Sequence, residues 1–172
     1  MIHPVRTAIG WSASRQDRAV AAVLAVAAYV PILLTSPGRV SADTKTYLTV
    51  DPRGVLRQAT SMWDPSVGAG TVPHQNIGYL FPLGPFYWLM DTVGIPDWLT
   101  QRLLWGTLVF AAAYGAYRLL RWLGWAPIAA VVAAFAYGFS PYLLSYLARL
   151  SVILGPWAAL PWICLLYTSP SP

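Results

Sequence analysis

The sequence predicts an all-α transmembrane protein, a multi-pass helical bundle, and three observations carry that prediction. Of its 172 residues, 57% are hydrophobic and only 10% are charged, against roughly 25% charged in an ordinary soluble domain. Four uncharged apolar runs, at residues 19–35, 103–117, 122–139 and 150–166, are of a length that crosses a bilayer. Many of the nine Trp and ten Tyr flank those runs, where amphipathic rings suit the headgroup layer.

The run at 19–35 would cover about 26 Å as a helix, close to the hydrocarbon thickness of roughly 30 Å. Pro31 near its far end is tolerable in a span. Arg6, Arg15 and Arg18 precede it as they would a signal peptide, but no Ala-x-Ala cleavage pattern follows, so it reads as a retained span. The run at 103–117 is bounded by Arg102 on one side and by Arg118 and Arg121 on the other, which span if their side chains snorkel. The third run ends at Ser140-Pro141, where the residue before proline is biased away from helix. Between the first and second spans lies a long loop, residues 36–101. Inside it, residues 55–62 suit a short surface helix. Residues 77–90 are apolar and aromatic but broken by Pro82, Gly84 and Pro85, which fits an interfacial or re-entrant segment. Residues 1–166 thus read as the N-terminal part of a polytopic membrane domain. The Ser/Pro-rich residues 167–172 read as a non-native tail.

The net charge of +5 comes from ten Arg and one Lys, spread too thinly for a nucleic-acid patch. It reads instead as topology. The Arg-bearing N-terminal tail and the turn holding Arg118 and Arg121 should be cytoplasmic, placing 36–101 outside the plasma membrane. That loop holds Asp43, Asp51, Asp64, Asp91 and Asp97, five of the six acids. Cys164, the single cysteine, has no disulfide or metal partner and reads as a packing residue. No phosphate-binding loop, dinucleotide turn, metal-spaced Cys/His set or serine elbow is present.

Candidate chemistry is therefore positional. Asp43 lies eight residues beyond the first span, where a lipid-linked substrate presents its headgroup. A carboxylate there can take a proton from an acceptor hydroxyl, and Arg39 and Lys45 can hold a phosphate leaving group. Equally, Asp43 can cap a helix beginning at Thr44, with both cations sitting among lipid headgroups. Asp51-Pro52-Arg53-Gly54 and Trp63-Asp64-Pro65 read as turns. His74 is a lone loop histidine suited to hydrogen bonding rather than to metal. The aromatic residues 78–88 can line a cavity for a polyprenyl chain or sugar, or anchor the loop in the interface. Arg102 and Arg149, at span boundaries, can be snorkelling anchors or functional groups.

Several of these residues together resemble a known family. The run Ser36-Pro37-Gly38 with Ser41 and Asp43-Thr44-Lys45, then Trp63, then Asn76 with Gly78-Tyr79-Leu80-Phe81-Pro82, is similar to the start of the arabinofuranosyltransferase D family. So are Gly94, Pro96, Trp98, Thr100-Gln101-Arg102-Leu103 and Phe139-Ser140-Pro141. These are large actinobacterial cell-wall enzymes of the GT-C class. The resemblance implies a glycosyltransferase that moves arabinofuranose from a polyprenyl-phosphate donor to the arabinan of arabinogalactan or lipoarabinomannan, with inversion. It implies Asp43 as the catalytic base and Arg39, Lys45, Asn76, Tyr79, Phe81 and Arg102 as substrate-binding residues. No cofactor is implied, and a divalent-metal requirement stays open. The chain would be an N-terminal fragment, inactive alone.

Two other classes compete. A transporter or flippase subunit would line a pathway with interrupted helices, but would carry ionisable residues near span midpoints, where these runs have none. A non-enzymatic cell-envelope assembly protein would use the aromatic loop as an interface and make Asp43 dispensable.

Overall fold

The computed structural model describes residues 14–43, 46–58, 61, 63–65, 68–72 and 81–168. Eight α-helices are described: α1 (Arg15–Leu34), α2 (Thr46–Val50), α3 (Pro52–Gln58), α4 (Leu83–Val93), α5 (Asp97–Trp122), α6 (Pro127–Gly138), α7 (Pro141–Leu147) and α8 (Leu154–Thr168), the last entered through a 3-10 turn, Ser151–Ile153. Among the described residues the β-structure is one isolated bridge, Asp64 with Thr71. Four helical stretches are long and apolar enough to cross a membrane: Arg15–Leu34, Asp97–Trp122, Pro127–Leu147 and Ser151–Thr168.

The helix boundaries follow from local chemistry. Ser14 and Asp17 form a reciprocal capping box at the start of α1, satisfying donors that a helix N-terminus leaves open. Asp97 sits in the first turn of α5 after Pro96, so the helix starts before the apolar run and carries Arg102 within it. At its other end Arg118 and Arg121 lie on the last turns of α5, not in a turn between spans. Gly124 makes that turn in the left-handed region, at φ 87°, and Trp122 accordingly closes α5 instead of opening the third span. Pro127 occupies the first turn of α6, where its missing N–H costs nothing. Helix α6 stops at the expected Ser140-Pro141 but restarts there, because the Ser140 side chain accepts from Leu143 N at 3.3 Å. Helix α8 continues through Tyr167 and Thr168, inside the stretch read as a tail.

Helix α5 is the centre of the bundle. Half of its apolar stretch is buried, against 11% for α1, and α1, α6 and α8 all pack on it. Small residues permit this. Gly106 lies under the Tyr29 ring of α1, Gly115 under the Trp162 indole of α8, and Gly138 of α6 against Ala113. Such close approaches replace the hydrophobic drive that lipid does not provide between helices. Hydrogen bonds add to them: Tyr29 Oη with Thr107 Oγ1 at 2.8 Å, and Trp162 Nε1 to the Ala111 carbonyl at 2.9 Å.

The loop is docked on the bundle. Leu48 of α2, Val55 of α3 and Leu83 and Tyr87 of α4 form a core with Leu104 of α5. Asp51 caps α3 by accepting from Gly54 N at 2.8 Å, so the sequence read as a turn at 51–54 is the start of a helix, and Asp64 pairs through its backbone with Thr71.

A Cβ at Gly138 would come within 3.0 Å of the Ala113 backbone nitrogen, which cannot swing aside. Gly138→Ala should lower stability by about 1–3 kcal/mol. Gly155→Ala, where nothing lies within 4 Å, should be neutral. Thermal unfolding of the two variants in the same detergent checks the difference.

Candidate functional site

The segment leaving α1 crosses the head of α5 in non-helical conformation, so its backbone groups need partners from elsewhere. Two consecutive residues of α5 supply them. Gln101 Oε1 accepts from Ser41 N at 2.9 Å while Gln101 Nε2 donates to Ser41 O at 3.0 Å, a two-point amide clamp. Arg102 donates from Nε to Thr35 O and from Nη2 to Arg39 O, both at 3.3 Å. Its guanidinium also lies 4.5 Å from the centre of the Trp105 ring, a cation–π geometry. Gln101 and Arg102 are 1% and 4% exposed; a polar pair so buried is stable only because its hydrogen bonds are made.

Two residues beyond the clamp, Asp43 is half-buried. Its Oδ1 accepts from Ser151 N at 3.2 Å, and its Oδ2 accepts from the Ser151 hydroxyl. Ser151, 5% exposed, opens the 3-10 turn that leads into α8. Ser41 reaches the same connection, its hydroxyl donating to Ala148 O at 3.3 Å. The first loop is thereby joined both to α5 and to the last span. Tyr87 of α4 shares this neighbourhood: burial pushes its phenol up, the negative charge of Asp43 pushes it the same way, and a hydrogen bond with Thr49 of α2 opposes both. The phenol stays neutral beside the carboxylate.

Of the other residues singled out in the sequence, Arg39 is exposed and contributes its backbone carbonyl to Arg102. Phe81 is 81% exposed just before α4. Lys45, Asn76 and Tyr79, like His74, lie outside the described residues. Among the described residues no three His, Cys, Asp or Glu side chains gather to hold a metal ion. Separately, Arg53, Leu56, Arg57 and Trp88 line an open groove of about 510 Å³ on α3 and α4.

The sequence pointed to Asp43, and to Tyr87 only as one ring of the aromatic stretch 78–88, but not to Ser151. Ser151 lay inside the fourth apolar run, and its one visible signal was a hydroxyl two residues after Arg149 at a span mouth. Gln101 figured only within the Thr100-Gln101-Arg102-Leu103 resemblance.

Four span-capable helices joined by a structured loop define a multi-pass membrane protein. Residues 26–170 match the family described as alpha-(1->3)-arabinofuranosyltransferase, N-terminal GT-C domain, and the chain belongs to that family. It is 39% identical over 149 residues to the alpha-(1->3)-arabinofuranosyltransferase of Mycobacterium tuberculosis, and 36% identical over 147 residues to that of Mycolicibacterium smegmatis. These matches cover 81% and 82% of this chain but only 11% and 10% of the relatives. The cryo-EM structure of arabinofuranosyltransferase AftD from Mycobacteria superposes with a TM-score of 0.82 at 34% identity, over 86% of this chain and 11% of that one.

Replacing Gln101 by Leu would leave the Ser41 N–H and C=O without the clamp, at a cost of about 1–3 kcal/mol. Hydrogen–deuterium exchange of the amides from Ser41 to Asp43 should accelerate in Gln101→Leu while amides in the middle of α5 keep their protection.

Proposed function

We propose that this chain is the N-terminal part of the catalytic membrane domain of an enzyme that transfers arabinofuranose from a polyprenyl-phosphate donor to cell-wall arabinan, in arabinogalactan or lipoarabinomannan. Family membership supports the reaction class. The observation that carries the site is Asp43, a carboxylate held in fixed orientation on the first loop by Ser151 of a distant element.

The chemistry needs little else. An acceptor hydroxyl oxygen bonds to the anomeric carbon as the bond from that carbon to the donor phosphate oxygen breaks. Asp43 takes the hydroxyl proton, and the polyprenyl phosphate leaves with the bonding electron pair. Attack opposite the leaving group inverts the centre with one base, without the paired carboxylates of a hydrolase. Arg39 and Lys45 would neutralise the departing phosphate, and Asn76, Tyr79 and Phe81 would line the cavity for lipid and sugar. Arg102 serves the site through the loop backbone it holds. Transport is the weaker reading, because the charged residues of the described spans lie toward helix ends: Arg15, Asp17 and Arg18 on α1, and Asp97, Arg102, Arg118 and Arg121 on α5. We place the loop between α1 and α5 outside the cell, following the arginine asymmetry.

In a full-length family member carrying this segment, Asp43→Asn should reduce arabinofuranose transfer by roughly 10²-fold or more with membrane insertion unchanged. Transfer near the parental rate would remove the base from Asp43. For topology, a Val50→Cys substitution in a Cys164→Ala background should react with an impermeant thiol reagent on intact cells. Reaction only after permeabilisation would reverse the orientation.

A further inference from the structure

We propose that Ser151 is the positioning residue of the transfer site, setting the plane of the Asp43 carboxylate, so that the mouth of the last span is part of the site. The proposal rests on the reading of Asp43 as the base and extends it to a residue 108 positions away in the chain.

The geometry is a fork. The Ser151 backbone N–H donates to Oδ1 of Asp43 and the Ser151 hydroxyl to Oδ2, so one residue contacts both oxygens and removes rotation of the carboxyl group about its bond to Cβ. Hydrogen bonds to an ionised acceptor are about twice as strong as neutral ones, and a catalytic group must be held within roughly 0.5 Å and 10–20° of its productive geometry. The backbone carrying Asp43 lacks helical support there, while Ser151 opens the helical segment of the last span and is itself 5% exposed. Ser41, clamped by Gln101, anchors the same stretch to the Ala148 carbonyl just upstream of Ser151. Carboxylate and fork are therefore registered by two independent ties. The backbone half of the fork survives any side-chain substitution; the hydroxyl half does not.

A purely structural tie would predict lost stability with unaltered chemistry. A positioning role predicts lost chemistry in an enzyme that is still folded. In the full-length enzyme purified in detergent, with polyprenyl-phosphate arabinofuranose as donor, Ser151→Ala should lower kcat by roughly 10- to 100-fold. KM for the donor should stay within about twofold, because it tracks binding rather than carboxylate orientation, and the small fall in thermal midpoint from the lost hydroxyl bond should leave the enzyme folded at the assay temperature. Ser151→Thr, which restores the hydroxyl, should recover most of kcat. The inference is overturned if Ser151→Ala keeps the parental kcat, if its loss appears in KM or in the thermal midpoint instead, or if Ser151→Thr is as slow as Ser151→Ala. Asp43→Asn run in parallel separates the two readings. An active Asp43→Asn enzyme defeats the base itself, whereas an inactive one beside a fully active Ser151→Ala enzyme defeats only the positioning role.

Discussion

Close approach to a single helix organises this domain. In lipid, apolar side chains gain little by leaving one hydrocarbon surface for another, so helices associate through packing and hydrogen bonds. Helix α5 meets that condition at three close contacts on two opposite faces: Gly106 admits the Tyr29 ring and, two turns further along the same face, Ala113 meets Gly138 of α6, while Gly115 admits the Trp162 indole on the other. Because α1, α6 and α8 all bear on it, the position of α5 fixes where the first and last spans stand, and hence where their connections can meet.

The same helix changes character at its head. Thr100, Gln101 and Arg102 are buried polar residues at the end of an apolar span, and the loop supplies partners for Gln101 and Arg102. Gln101 pairs with both backbone groups of Ser41, and Arg102 with the carbonyls of Thr35 and Arg39. The exchange is mutual: the irregular backbone after α1 would otherwise have unsatisfied groups at the membrane surface, and the side chains would be buried without partners. Satisfied networks of this kind are rigid, and rigidity is what a loop-borne carboxylate requires. The Leu48, Val55, Leu83, Tyr87 and Leu104 core extends the support by seating α2, α3 and α4 on the bundle.

The candidate site is consequently a convergence of separate elements. Asp43 comes from the first loop, Tyr87 from α4 and Ser151 from the mouth of the last span. Each is held by a different physical agent, namely a backbone clamp, an apolar core and a helix start. Family membership sets this arrangement within a much longer class of polypeptide, of which the chain spans about a tenth.

Composition and run length determined the all-α membrane class and the number of spans, because the bilayer enforces a length and polarity that single segments display on their own. Asp43 stood out as a candidate for the same reason, as a carboxylate a short chain distance past a span. Local chemistry also exposed the break at Ser140-Pro141, while Asp51-Pro52-Arg53-Gly54, read as a turn, proved to be a capped helix start. What only the tertiary structure decided was pairing. The fork between Asp43 and Ser151 and the clamp between Gln101 and Ser41 join residues 60 or more positions apart, and the choice of α5 as hub joins segments that no local pattern pairs. Hydropathy records how each segment meets lipid; it carries no term for which polar groups meet one another, and that is what builds the site.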